Sequence, residues 1–198
     1  MNWIFAFLAT LLSYLFIDQK LALLIHEHIH LLPIYKALSF IIAPIPHLAL
    51  SAILTAFALH PRFRKYLKPF ARYFVTVLIF MFIAGLLKIA LGRARPEFFI
   101  KTGFYGFSFM EGHHSYFRSF PSSHAATAFA LIYLCRCKWY WYLSLTLFVC
   151  SRLLLGEHYL SDVIAGGMLG IFATKMSFLV TKKIEQVIHL LNLNSKEF

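Results

Sequence analysis

Apolar runs long enough to cross a bilayer recur along this chain, and they leave few folds open to it. The clearest is Tyr73–Leu91, YFVTVLIFMFIAGLLKIAL, with Lys88 as its one charge. A helix crosses a hydrocarbon core of roughly 30 Å with about 20 residues of this kind. Backbone polar groups in lipid must be satisfied internally, and runs of this length select helices over barrel strands. Read on the same basis, the chain holds about six spans. The first is Trp3–Phe16, with the amphipathic LALLIHEHIHLLP after it either lying at the interface or continuing a tilted helix. The second runs from about Ala37 to Leu59 and is expected to kink at Pro44 and Pro46. After Tyr73–Leu91, a fourth span runs from Ser122 to the aromatic belt Trp139, Tyr140, Trp141, a fifth from Tyr142 to Leu155, and a sixth from Leu160 to Thr181. The expectation is an all-α, polytopic integral membrane protein forming a single domain over residues 1–198.

Composition agrees with the spans. Hydrophobic residues make up 60% of the chain and charged residues 14%, against about half and a quarter in soluble domains. An ordinary soluble enzyme, a disordered chain and a disulfide scaffold are excluded. Cys135, Cys137 and Cys150 are an odd number in apolar surroundings and read as free thiols. Net charge is nevertheless +11. Most of the excess sits in short connections: Arg62, Arg64, Lys65, Lys68 and Arg72, then Arg136 and Lys138, then Lys182, Lys183 and Lys196. With six alternating spans these fall on one side, which the positive-inside rule makes cytoplasmic, together with both termini. Because spans separate the basic residues, no soluble basic face is formed and nucleic acid is not an expected partner.

The outward side should then hold the long polar segment 92–121 and the turn Gly156–Tyr159. It still carries Arg93, Arg95, Lys101 and Arg118, which topology does not explain. Lys88, Arg95 and Arg152 all fall near outward helix ends, and basic groups at membrane depth mark anion sites more often when several converge. Lys88 and Arg95 are seven residues apart, so they share a face if the helix persists towards Gly92. Pro121-Ser122-Ser123-His124 reads as a helix start, whose free N–H groups and dipole attract an anion. His158 and Asp162 are four apart and share a helix face. A carboxylate there fixes the imidazole tautomer and aims the other nitrogen, as a nucleophilic histidine requires.

Taken together, Lys88-x6-Arg95-Pro96, Pro121-Ser122-Ser123-His124 and Ser151-Arg152-x5-His158-x3-Asp162 resemble the three-part signature of the type 2 phosphatidic acid phosphatase (PAP2) family. The resemblance implies a metal-independent, cofactor-free phosphatase in a six-helix membrane bundle. It implies that His158 attacks phosphorus to form a phosphohistidine, supported by Asp162. His124 would protonate the leaving oxygen and later activate water. Lys88, Arg95 and Arg152, with Ser122, Ser123 and nearby amides, would bind the phosphate. Ser123 stands where the family usually has Gly, a residue that lets backbone approach the phosphate. The implied substrates are membrane lipid phosphates: polyprenyl diphosphate, phosphatidylglycerol phosphate, phosphatidate or the 1-phosphate of lipid A. The chain's economy suits a bacterial inner-membrane enzyme whose site faces the periplasm or exterior.

Two other readings use different residues. His26-Glu27-His28-Ile29-His30 matches H-E-x-x-H, which on a helix places His26 and His30 on zinc with Glu27 as base, as in an intramembrane metalloprotease. A non-enzymatic lipid-binding or transport protein could use the same basic pocket. His113 and His114, with Glu111, Tyr116 and Arg118, are candidates for contact with a lipid headgroup.

Overall fold

The computed structural model describes residues 2–28, 43–135 and 149–194. Among them there is no strand, and the helices are α1 (Trp3–Leu12), α2 (Asp18–His28), α3 (Pro44–Phe57), α4 (Leu67–Leu91), α5 (Pro96–Thr102), α6 (Ser123–Cys135) and α7 (Leu160–Asn194). Residues 149–154 are also helical. Among the described residues, three helical stretches are long and apolar enough to cross a membrane: Trp3–Glu27, Pro61–Leu91 and Leu160–Gln186. Pro44–Phe57 and Ser123–Leu134 are shorter apolar helices. The expected start of the second span at Ala37, the belt Trp139–Trp141, Arg136, Lys138 and Lys196 lie outside the described residues.

The segment after Phe16 continues the first helix as far as His28, one of its two sequence readings: a π-helical turn, Ser13–Ile17, joins α1 to α2 without a break. Other boundaries differ from the sequence reading, each for a local reason. Pro44 and Pro46 start α3 instead of kinking it, because their fixed φ suits a first turn, where no N–H partner is needed. The basic residues from Arg62 to Arg72 are helical, in a 3-10 segment (Pro61–Tyr66) that runs into α4, so this helix begins before Tyr73. At the other end, α4 stops at Leu91 because Gly92 adopts φ 56°, a left-handed cap. Lys88 and Arg95 therefore do not share one helix.

Helix α7 is the centre of the bundle, packing against α6, α4 and α1. Its seam with α6 is built from the smallest residues. A Cβ added at Gly166 would lie 2.2 Å from the carbonyl oxygen of Ser122, and one at Gly170 would lie 2.2 Å from that of Ala126. Ala125 and Ala126 meet those glycines, and they, Ala128 and Ala130 are all fully buried. Without a hydrophobic effect between helices in lipid, such close backbone approach supplies the association energy. Large apolar side chains such as Phe5, Phe82, Leu86, Phe172 and Leu179 point outward, as lipid-facing residues would. Gly166→Leu is expected to force the seam apart at a cost of about 1–3 kcal/mol or more. Thermal unfolding in detergent should show the lower midpoint, and an unchanged midpoint would refute the seam's role.

The seam and the antiparallel run of α4 and α7 define two ends. At one, Lys68 pairs with Glu185 at 2.8 Å and Arg72 lies over the Phe178 ring at 4.6 Å. Trp3 lies at the same end, under Lys175 at 5.2 Å. The other end gathers Lys88, Arg93, His124, His158 and Asp162.

Candidate active site

At that end, a cavity of about 170 Å³ is lined by Pro44, Lys88, Arg95, Arg118, Ser123, His124, Arg152, Glu157 and His158. Each wall has a local cause. After the Gly92 cap the chain bridges Phe107 through Arg93, and the N–H of Arg95 donates to the carbonyl of Tyr116 at 2.8 Å. Pro96 then opens α5, which leaves Arg95 as its N-cap with a side chain free to reach the cavity. The loop's return strand of backbone holds Lys88, whose Nζ donates to the carbonyl of Arg118 at 2.7 Å. His124 comes from the first turn of α6, and Arg152 from the helical residues before the turn Leu155–Tyr159. Lys88, Arg95, Arg152, Ser123, His124 and His158 thus line one cavity, and Lys88 and Arg95 reach it through a turn, not on one continuous helix.

Ser122 has a different place. It is fully buried, and its Oγ accepts from the N–H of Ala125 at 3.4 Å, so it caps α6 while Ser123 faces the cavity. The N–H of Ser122 donates to the carbonyl of Asp162 at 3.1 Å, tying the start of α6 to α7.

The two histidine rings face one another across 6.5 Å between centroids. His158 Nδ1 lies 3.7 Å from Asp162 Oδ2, within ion-pair range and beyond a hydrogen bond. That contact turns Nε2 away from the carboxylate. Burial pushes the His158 imidazole down to about 4, against the raising effect of Asp162, so the ring is neutral at neutral pH and carries a free lone pair. Asp162 itself is held on every side. Its Oδ2 accepts from Ser119 Oγ at 2.5 Å and from the N–H of Tyr159 at 2.8 Å, the second closing a capping box at the start of α7. Its Oδ1 accepts from Arg93.

Arg93 was noted in the sequence only as an unexplained charge. It is 1% exposed and bridges Asp162 to Asp18 of α2, with Nη2 donating to Asp18 at 2.7 Å. Its guanidinium lies over the rings of Tyr159 at 4.5 Å and Tyr14 at 4.9 Å. Burial alone would lower its basicity, but Asp162 and Asp18 outweigh that and raise it, so the charge is permanent. Asp18 also accepts from Ser13 Oγ at 2.8 Å and from the N–H of Ser161 at 3.1 Å. An acid in an apolar helix was the one available signal for this network, since such a group demands a partner.

Glu157 was not anticipated either. Its carboxylate contacts Arg152 and lies 3.6 Å from Arg95 Nη1. Among the described residues, Arg95 Nε and Arg152 Nε are buried without an acceptor. Buried donors in that condition are rare unless a ligand supplies the missing oxygen. A compact anion with several acceptor oxygens, offered to guanidinium and ammonium donors between two imidazoles, fits this cavity as a phosphoryl group does.

A site of this composition at a helix-bundle end defines a class of phosphoryl-handling membrane protein. The chain belongs to the PAP2 superfamily, whose family model matches residues 69–186. It is 38% identical over 113 residues to a lipid A 1-phosphatase of Rhizobium johnstonii, covering 54% of this chain and 46% of that protein. It is 40% identical over 99 residues to a lipid A 1-phosphatase of Rhizobium etli, covering 47% and 42% respectively. The chain thus spans less than half the length of these curated relatives. The crystal structure of Aquifex aeolicus LpxE is similar in fold, with a TM-score of 0.58 and 20% identity over 81% of this chain and 94% of that one.

His26 and Glu27 of the H-E-x-x-H segment are exposed on α2, and His30 lies outside the described residues. No cavity residue comes from that segment.

Proposed function

We propose that this chain is a metal-independent phosphatase acting on a membrane lipid phosphate, with the 1-phosphate of lipid A as the leading substrate. The unsatisfied Arg95 and Arg152 donors beside two facing histidines carry this reading. The names of the two rhizobial relatives support the choice of lipid A. Lys88, Arg95 and Arg152 bind the phosphate oxygens, with Ser123 at the cavity wall. His158 Nε2 attacks phosphorus, and the bond from phosphorus to the lipid oxygen breaks. His124 gives that oxygen its proton. His124 then takes a proton from water, whose oxygen attacks the phosphohistidine and releases inorganic phosphate and free His158. Asp162 stabilises the imidazolium character that develops on His158. Most of the acceleration then comes from charge placement, as is general for phosphoryl transfer.

Orientation follows from the two ends of the bundle. The basic end, with Lys68, Arg72, Lys182 and Lys183, is read as cytoplasmic, and the cavity as facing the periplasm or exterior, level with headgroups. A lipid can present its phosphate there while its tails stay in the bilayer. The reading is tested by phosphate release from lipid A 1-phosphate, polyprenyl diphosphate, phosphatidylglycerol phosphate and phosphatidate by purified protein in detergent, with and without EDTA. Release from at least one of them, unaffected by EDTA, is expected. No release from any sinks the phosphatase reading, and abolition by EDTA sinks the metal-free chemistry.

Glu157 competes with substrate for the same two arginines. Glu157→Gln keeps the shape and a hydrogen-bonding oxygen but removes the negative charge facing the phosphate. KM is expected to fall about 3- to 10-fold, on the order of 1 kcal/mol, with kcat little changed. A raised KM in this variant would show instead that Glu157 orients the arginines for substrate.

A further inference from the structure

The loop beside the phosphate cavity carries a second constellation that the proposed reaction does not use. Among the described residues, Glu111, His113 and His114 form one group whose ligand-capable atoms all lie within 4.8 Å of one another. His113 Nε2 is 3.8 Å and His114 Nε2 is 3.7 Å from the same oxygen of Glu111. Ligands bound at about 2.1 Å to a tetrahedral ion are separated by about 3.4 Å, so the two histidine–glutamate separations need a few tenths of an ångström of closure, and the third, within 4.8 Å, needs at most about 1.4 Å. The tautomer is set as well. His113 Nδ1 lies 3.2 Å from the carbonyl oxygen of Met110, and the hydrogen bond it can donate there leaves Nε2 as the lone-pair atom facing Glu111. The two imidazole rings lie 4.1 Å apart at 44°, side by side on one face of the loop.

The backbone under these residues is already ordered by the end of α4. The N–H of Ser108 donates to the carbonyl of Gly92 at 2.8 Å, and that of Met110 to the carbonyl of Ala90 at 3.1 Å. The N–H of His114 donates to the carbonyl of Glu111 at 3.0 Å, which closes the turn that brings the three side chains together. Gly112 is pressed so closely on Lys88 that a Cβ there would lie 1.7 Å from the Lys88 carbonyl oxygen. Little chain entropy then remains to oppose binding.

We propose that Glu111, His113 and His114 form a binding site for a zinc-class divalent transition-metal ion. Two imidazoles with one carboxylate suit Zn²⁺ and its neighbours and not Mg²⁺ or Ca²⁺, which take oxygen donors. Three protein ligands leave the remaining position to water. The site is distinct from the phosphate cavity, none of whose lining residues it shares. Its role is to fix the loop that packs on Lys88, and phosphate release does not require it.

The test is zinc binding to purified full-length protein, freed of any histidine tag, in a His26→Ala/His30→Ala background that removes the other histidine pair. A competing chromophoric chelator reads stoichiometry and affinity. One equivalent is expected in this background, and adding His113→Gln/His114→Gln should weaken it by about 30-fold or more. Glu111→Gln serves as a second variant, expected to weaken binding about 10-fold, and an unchanged unfolding midpoint of the metal-free protein in detergent reports that each variant is folded. The Co²⁺-loaded protein should show the intense visible bands of a four-coordinate ion, lost in the double Gln variant. Zinc bound equally well by the double Gln variant, or bound only when His26 and His30 are present, overturns the proposal.

Discussion

His158→Ala is expected to lower kcat by at least about 1000-fold, because no other side chain can take over attack on phosphorus. His158 is 5% exposed and fills the cavity wall opposite His124, so Ala leaves room for water but no nucleophile. With a ³²P-labelled lipid phosphate, rapid acid-free quenching should trap labelled protein in the wild type and none in the variant. His124→Ala should slow both halves of the reaction, yet labelled protein should still form with a substrate whose leaving group needs no proton. Equal phosphate release by wild type and His158→Ala would remove His158 from the chemistry and return the cavity to a binding role.

The second large effect is expected at a residue that touches no substrate. Arg93→Met leaves Asp18 and Asp162 buried, each without its cation. Breaking a buried pair in this way costs about 3–5 kcal/mol. Both carboxylates are no more than 1% exposed, so water does little to screen the loss. Thermal unfolding in detergent should show a large drop in midpoint. Arg93 is a positioning residue, and a readout beyond stability separates that role from mere support. At temperatures where the protein is folded, kcat should fall well below the wild-type value while KM stays close to it, since the phosphate-binding arginines are untouched. Arg93→Lys, which can reach one carboxylate but not grip two, should recover stability in part and kcat less. In a cycle with Asp18→Asn, the two losses should be strongly non-additive. If folded Arg93→Met turns over at the wild-type rate, Asp162 does not depend on this grip.

The two cavity histidines were legible because their neighbours in sequence are close. His158 and Asp162 do not share a helix face, however: His158 lies in the turn that precedes α7, and only Asp162 is in the helix. The pairing survives because that turn brings Nδ1 of His158 to within 3.7 Å of Asp162. The cavity cations were legible by identity but not by route. Lys88 and Arg95 reach one cavity through the left-handed Gly92 and a turn, where a shared helix face was the simpler expectation. Pro44 and Pro46 likewise have two meanings, kink or first turn, and only neighbours decide between them. Ser122 and Ser123 look equivalent in sequence, and the seam with α7 assigns one to capping and the other to the cavity. Least legible was the network behind Asp162. Asp18 and Arg93 are 75 residues apart, and nothing in either neighbourhood names the other. Arg93 stood in the sequence as one of several unexplained cations, and only packing encloses it. Glu157 carried no signal at all, being one more acid in a polar turn.

The place of Asp18 also has a consequence for how the chain is made. Of its donors, Ser13 is made before Asp18, but others come much later, Arg93 after 75 residues and Ser161 after 143. During synthesis the Asp18 carboxylate lacks a cation until Arg93 is made, and lacks the Ser161 donors until α7 begins. A nascent chain halted between Arg93 and Ser161 can neutralise Asp18 but cannot finish the cluster that holds Asp162. The cluster that links Asp18, Arg93, Ser161 and Asp162 therefore closes only when the start of α7 joins residues made long before it.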